Sequence, residues 1–207
     1  KKKKRKRRLA NEDLLALLKG LSSMKFIIFT GFEDTPIDEA VYDAIPENVI
    51  GIWASHAQVF GGKVHPIPYG LQRILSPNDN RQDIIREYID LQIEPSNLMY
   101  VNFSPGNHPV RTGLMEHYQN LPWVTSTEPR FFSLPQYKQY LSTIKRNKFM
   151  LCPSGNAPGS ECHRDWETIY MKRVPIVQDT PYLREIFKDI PVLFVDSFSF
   201  LFYIRIF

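Results

Sequence analysis

Between Lys148 and Asp179 the chain leaves an apolar run, crosses a loop without large side chains, enters a helix-patterned stretch and returns to a second apolar run. Phe149 to Cys152 form the first run, closed by Pro153, and Val174 to Val177 form the second. Short continuous apolar runs joined by a helix read as parallel strands covered on both faces, because parallel neighbours need a long crossover. Ser154, Gly155, Asn156 and Gly159 make the loop, Ser160 stands as the expected N-cap, and His163, Arg164 and Glu167 follow within two turns. A glycine loop that opens a helix is a ready anion site, since free backbone N–H groups and the helix dipole both point into it. Arg164 adds a forked, permanent positive charge one turn in. Glu167, three residues on, shares its face. A phosphate-binding Arg beside a hydroxyl-binding Glu suits a ribose diphosphate, hence a nucleotide-sugar. The plainer reading is a common βα turn with an i,i+3 surface pair, Ser160 being no more than a cap.

The rest of the body alternates in the same way. Strands are expected over 25–30, 49–53, 64–68, 97–103, 121–125, 148–152, 174–178 and 192–195, and helices over 37–45, 80–91, 108–120, 134–146, 161–171 and 181–188. Such alternation points to parallel sheet with right-handed crossovers. The expected fold is α/β, with two small Rossmann-like units of mostly parallel sheet that divide near Glu94-Pro95-Ser96. Residues 24–95 form the first unit and 96–207 the second. Residues 1–23 form a basic extension with an amphipathic helix over 9–21. The second unit opens with another strand–glycine–helix turn that carries Asn102, Gly106 and Arg111. Ligands bind such sheets at the carboxyl ends of strands, and a plain βα loop is the alternative.

The 148–179 segment resembles the C-terminal half of the exostosin-like glycosyltransferases. Their pattern is an apolar strand, a C/P-x-G loop, S-x-x-R-x-x-E on a helix, then a short strand with Pro-Val at its core. Here Cys152, Pro153 and Gly155 stand in the loop, Cys162 and His163 precede Arg164, and Trp166, Glu167 and Pro175-Ile176-Val177 follow it. The compact size is similar to that of the members carried by large algal viruses. One departure is Lys172-Arg173, where the family usually has Gly-Cys before the hydrophobic-Pro pair. The resemblance implies the two-Rossmann GT-B architecture, in which the C-terminal unit grips the nucleotide and the N-terminal unit offers the acceptor. It further implies an inverting transfer from a UDP-sugar, xylose being one candidate, to a glycan acceptor.

Glycosyl transfer needs the leaving diphosphate stabilised, the acceptor hydroxyl deprotonated and water excluded. The chain has no Asp-x-Asp motif to hold a metal. It offers Arg164, the helix start at Ser160, the Gly155 loop and Arg111 instead, so the expected mechanism needs no metal and no cofactor beyond the UDP-sugar donor. The donor-side set is then Asn102, Gly106, Arg111, Ser154, Gly155, Asn156, Ser160, Arg164 and Glu167. The base of an inverting displacement sits across the cleft, on the first unit. Glu33 and Asp34 follow the first strand, and Asp34 is preferred; His56, after the second strand, is the rival. Both carboxylates read equally as dipole-favoured charges at a helix start. Trp53 and Tyr69 fit an acceptor cleft or the core.

Of the 207 residues 43% are hydrophobic, enough to bury a sizeable core. The net charge of +4 comes from the 8 unbroken basic residues Lys1 to Arg8; without them 18 of the 26 Lys and Arg remain against 22 Asp and Glu, a net of −4. The body therefore offers no nucleic-acid footprint. Lys1 to Arg8 suit a weak contact with an anionic surface such as lipid, polyphosphate or RNA, or a nuclear address; the plainer reading, which is preferred, is a solvated tail or sequence foreign to the enzyme. No run is long enough to span a membrane and no signal peptide is visible, so a cytoplasmic location is expected. Cys152 and Cys162 suit a reducing compartment, a disulfide being the alternative. The apolar end, from Phe198 to Ile204, must pack on the body or a partner, or aggregate. Two other functions stand beside the transferase: a protein of the same fold that binds sugar or nucleotide without turnover, and a polyanion binder acting through Lys1 to Arg8.

Overall fold

The computed structural model describes residues 13–31, 36–71, 81–128 and 133–198. Strands β1 (Phe26–Thr30), β2 (Val49–Ala54) and β3 (Val64–Pro66) form a parallel sheet in that order. Helix α1, described over 13–20, precedes it. The Asn48 amide donates to the carbonyls of Leu18, Leu21 and Met24 at 2.8, 3.0 and 3.2 Å, so one side chain closes the end of α1 and ties it to the start of β2. Helix α2 (Glu39–Asp43) is shorter than expected because Asp38 caps it, accepting from the Val41 N–H at 3.0 Å, and Pro46 follows soon after.

The second sheet holds β4 (Asn97–Val101), β5 (Val124–Ser126), β6 (Asn147–Leu151), β7 (Val174–Gln178) and β8 (Leu193–Val195). Their order is β5-β4-β6-β7-β8 and every pairing is parallel. The helices are α3 (Arg81–Ile89), α4 (Pro109–Tyr118), α5 (Leu134–Lys145), α6 (His163–Tyr170) and α7 (Pro181–Ile186). The two-residue period of the strands divides the core. Met99, Val101, Leu151 and Ile176 pack with Leu114, Tyr118 and Phe198 on one face. Tyr100, Met150 and Val177 face Tyr137, Tyr140, Leu141 and Leu183 on the other. Phe198, at the start of the apolar end, is thus core, and Tyr118 donates to its carbonyl at 2.7 Å. The expected α/β fold of parallel sheets flanked by helices is what the chain adopts.

The larger cluster also takes in Val49, Ile52, Ala54 and Val64 of the first sheet, so apolar packing runs unbroken between the sheets. Helix α3 precedes residue 95 in sequence yet packs on α5 and α6. Buried Lys145 of α5 donates to the carbonyls of Ile89 and Leu91 at 3.0 and 2.6 Å, and Arg173 to that of Ile93 at 2.5 Å; both hold the connection between the sheets. Strand β4 stops at Val101 rather than 103, because the Asn102 amide turns to Thr127 and Glu128. Among the described residues no helix is long and apolar enough to cross a membrane.

Candidate functional site

The order of the second sheet reverses between β4 and β6, the topological switch point at which open α/β sheets bind ligands. A cavity of about 300 Å³ opens there. Asn107 and Arg111 reach it from the turn after β4, Gly155 and Asn156 from the loop after β6, and Arg164 and Glu167 from α6. His56 and Tyr69 close it from the loops after β2 and β3.

The start of α6 differs from the expected one. Cys162, not Ser160, is the N-cap, and its N–H donates to the Asp165 carboxylate at 2.5 Å. Asp165 stands three residues past the cap and reaches back, which sets the helix start at His163 and leaves Ser160 and Glu161 in the loop. The Ser160 hydroxyl is buried without a partner. Burial pushes the Asp165 carboxyl up to about 7, against the pull of the Cys162 N–H. Burial likewise raises both thiols, Cys162 to about 11 and Cys152 well above its usual value. Both cysteines are free and protonated at neutral pH, so neither is a poised nucleophile.

The two arginines of the cavity do different work. Arg111, 3% exposed, donates to the carbonyls of Ser154 and Pro153 at 2.8 and 2.7 Å and lies over the Phe103 ring. It holds the glycine loop in shape. Arg164 donates weakly to the Cys162 sulfur at 3.6 Å and feels the charge of Glu167, and its Nε is buried without a hydrogen bond. Burial lowers the Arg111 pKa, and the Arg164 charge lowers it further. Two guanidiniums that repel one another across a cavity favour an anion between them. Glu167 is buried and takes one hydroxyl on each oxygen, from Tyr137 and Tyr140, both at 2.8 Å. Its carboxylate is thereby fixed in place in the cavity wall.

The far wall joins the two sheets. The Tyr69 ring lies 4.8 Å from the His56 ring and 4.4 Å from the His163 ring, between centroids. His163 Nδ1–H donates to the Gly70 carbonyl at 2.8 Å, and the Tyr69 N–H donates to Glu161. His56 is 3% exposed and has φ 62°, a left-handed conformation uncommon for a residue with a side chain. It is held there by its N–H to the Tyr182 hydroxyl at 3.1 Å and its carbonyl to the Ile37 N–H at 3.2 Å. Strain of this kind gathers at functional sites.

Arg111, Gly155, Asn156, Arg164, Glu167 and His56 are thus brought together by the fold. Glu33 and Asp34 lie outside the described residues. Asn102 lines a second cavity of about 150 Å³ instead, with Tyr100, Thr127, Gln136 and Tyr140. Its amide donates to Thr127 and Glu128, and its carbonyl oxygen is buried without a partner. Gly106, in a 3₁₀ turn over Pro105–Asn107, lines neither cavity; its neighbour Asn107 does. Ser154 serves through its carbonyl, as a partner of Arg111. Sequence reasoning missed Glu161 and Asn107, and gave His163 no role. A signal for Glu161 existed, since it lies between the loop and Arg164 in the same run. Among the described residues no group of three or more His, Cys, Asp or Glu could hold a metal ion.

No protein-family model matches the chain, and no curated protein matches it.

Proposed function

We propose that the protein is an inverting glycosyltransferase that moves a sugar from a UDP-sugar to a glycan acceptor without a metal ion. The observation that carries this reading is Arg164, a half-buried guanidinium with an unpartnered Nε, facing a switch-point cavity beside the Gly155 loop. A guanidinium N–H buried without a hydrogen bond is costly until a ligand supplies the acceptor. The diphosphate would lie between Arg164 and the loop that Arg111 braces. The ribose hydroxyls would meet Glu167. Tyr140 donates to Glu167 and also walls the second cavity, so a nucleoside placed along Glu167 would send its base toward Asn102, where an N–H of the base would meet the orphan carbonyl. The acceptor would enter between His56, Tyr69 and Glu161. The likeness of residues 148–179 to the exostosin-like enzymes agrees with the inverting, UDP-dependent choice.

Calorimetric titration with UDP in excess EDTA, followed by a UDP-release assay on a panel of UDP-sugars, tests the reading. UDP binding that survives the chelator, together with donor turnover, is expected. Binding that appears only with manganese rejects the metal-free mechanism. Binding without turnover of any donor favours a protein of the same fold that has lost chemistry.

A further inference from the structure

We propose that Glu161 takes the proton from the attacking hydroxyl, a role that rests on the glycosyltransferase reading above. Glu161 lines the switch-point cavity and is 3% exposed. One carboxylate oxygen accepts the Tyr69 N–H, and the other, Oε2, is buried with no hydrogen bond. The Tyr182 hydroxyl lies beside the same carboxylate and also reaches the Ile67 carbonyl at 3.3 Å, so it is shared between two acceptors. A buried, unbonded carboxylate oxygen on a cavity wall is incomplete until a ligand donor reaches it.

Its position relative to Arg164 suits a single displacement. Glu161 keeps company with Tyr69 of the first sheet's loops and with Tyr182 of α7, which in turn bonds the His56 N–H and the Ile67 carbonyl of those loops. Arg164 keeps company with Cys162, Tyr140, Cys152 and Glu167, all of the second sheet's elements and loops. A sugar held between them would present its anomeric carbon with the diphosphate toward Arg164 and the acceptor hydroxyl toward Glu161. The acceptor oxygen then forms its bond to the anomeric carbon while the bond from that carbon to the phosphate oxygen breaks. The electron pair leaves with the diphosphate, and the hydroxyl proton moves to Oε2 and later to solvent. Burial raises the Glu161 carboxyl above its usual value, against the pull of the Tyr69 N–H and the Tyr182 hydroxyl, and so makes it a stronger base than an exposed carboxylate. The groups that face it are His56 and Tyr69 from the first sheet's loops, Tyr182 from α7, His163, Arg164 and Asp165 from α6 and Arg111 from α4, and of these the Tyr69 N–H and the Tyr182 hydroxyl act on its titration.

The test uses Glu161→Gln on the full chain, with Asp34→Asn in parallel. The amide oxygen of Gln still accepts the Tyr69 N–H, so UDP affinity by calorimetry should hold within about threefold. Turnover, read as UDP release from UDP-xylose, UDP-glucose and UDP-galactose with water or methyl glycosides as acceptors, should fall about 10²–10⁴-fold. Wild-type turnover should decline as pH drops and the carboxylate is protonated, and E161Q should lose that limb. Wild-type rates and an intact acid limb in E161Q overturn the inference and leave the transferase reading standing, as does loss of turnover in D34N alone. If E161Q does not fold, Glu161→Asp replaces it: a retracted carboxylate should slow turnover and shift the limb, and unchanged kinetics overturn the role. A wild-type protein that releases UDP from no donor overturns the reading and this role together.

Discussion

Replacing Arg164 by Met and Glu167 by Ala separates a residue kept for a ligand from one that also holds the fold. Arg164 has a weak sulfur contact at 3.6 Å and an orphan Nε. An unsatisfied buried donor costs about 1–3 kcal/mol. Met has similar length and no polar group, so Arg164→Met removes that cost and loses only the attraction between Arg164 and Glu167. The two effects oppose, and stability should stay within about 1 kcal/mol, a shift in Tm of at most about 4 °C for a chain of this size. Glu167→Ala leaves the hydroxyls of Tyr137 and Tyr140 without the acceptor they reach at 2.8 Å, and both tyrosines are buried. Hydrogen bonds to a charged group contribute about 1.5–3 kcal/mol each. Water entering from the cavity recovers part of this, so about 2–4 kcal/mol should be lost, which lowers Tm by roughly 5–15 °C. Differential scanning calorimetry reads both numbers, and UDP titration on the same samples reads function. R164M should weaken UDP binding about 30-fold or more, because a charge-assisted phosphate contact is lost. A large drop in Tm for R164M with UDP binding intact would show that Arg164 braces the fold, and the reasoning from its missing partners would fail.

Two further outcomes follow from the same region. Lys172 has φ 59° and closes α6 in a Schellman motif, its N–H on the Ile169 carbonyl at 2.8 Å and the Arg173 N–H on that of Thr168 at 3.1 Å. Lys172→Gly should therefore stabilise the protein by about 1 kcal/mol, since its exposed pair with Asp90 at 3.7 Å contributes little; a lower midpoint in urea would refute this. The Asp165 carboxyl, pushed up by burial to about 7, binds a proton in the folded chain that it has already released in the unfolded chain above its usual value near 4. Its effect on stability thus falls as pH rises from about 4 to 7. Asp165→Asn, which keeps an acceptor for the Cys162 N–H, should flatten Tm against pH across that window and raise Tm at pH 8, and an unchanged slope would refute the assignment.

The alternation of apolar runs and helix patterns carried the fold class, because strands buried on both faces have few other spellings. The strand order did not follow from it. Whether β5 lies beside β4 or beyond β8 depends on pairings such as Tyr100 with Thr125 and with Met150, which no local pattern records. Arg164 and Glu167 were legible as a pair on one helix face. Glu167's two hydroxyl donors were not, since Tyr137 and Tyr140 come from α5. The cap was misread for a local reason. Ser is the better cap by type, but Asp165 reaches back to Cys162, and that contact fixed the helix start. Glu161 was overlooked because the Tyr69 N–H that holds it lies in the first unit.

The placement of the cavity restricts how it can work. Among the described residues, polar contacts between the two sheets' loops in or beside its wall include Tyr69 N–H on Glu161, His163 on the Gly70 carbonyl at 2.8 Å, the His56 N–H on Tyr182 at 3.1 Å, Tyr182 on the Ile67 carbonyl at 3.3 Å and Gln58 on the Pro158 carbonyl at 3.2 Å. Each contributes on the order of 1 kcal/mol net, and a continuous apolar cluster runs beneath them. Spreading the sheets apart would break these contacts together and expose that cluster. The closed arrangement is therefore the resting one, and on the proposed reading a donor would enter a preformed cleft rather than draw two halves shut around itself. In such a cleft the charges are fixed before the substrate arrives. That is the condition under which, on the proposed reading, the Arg164 guanidinium and the Glu161 carboxylate would act on a reacting bond without reorganising.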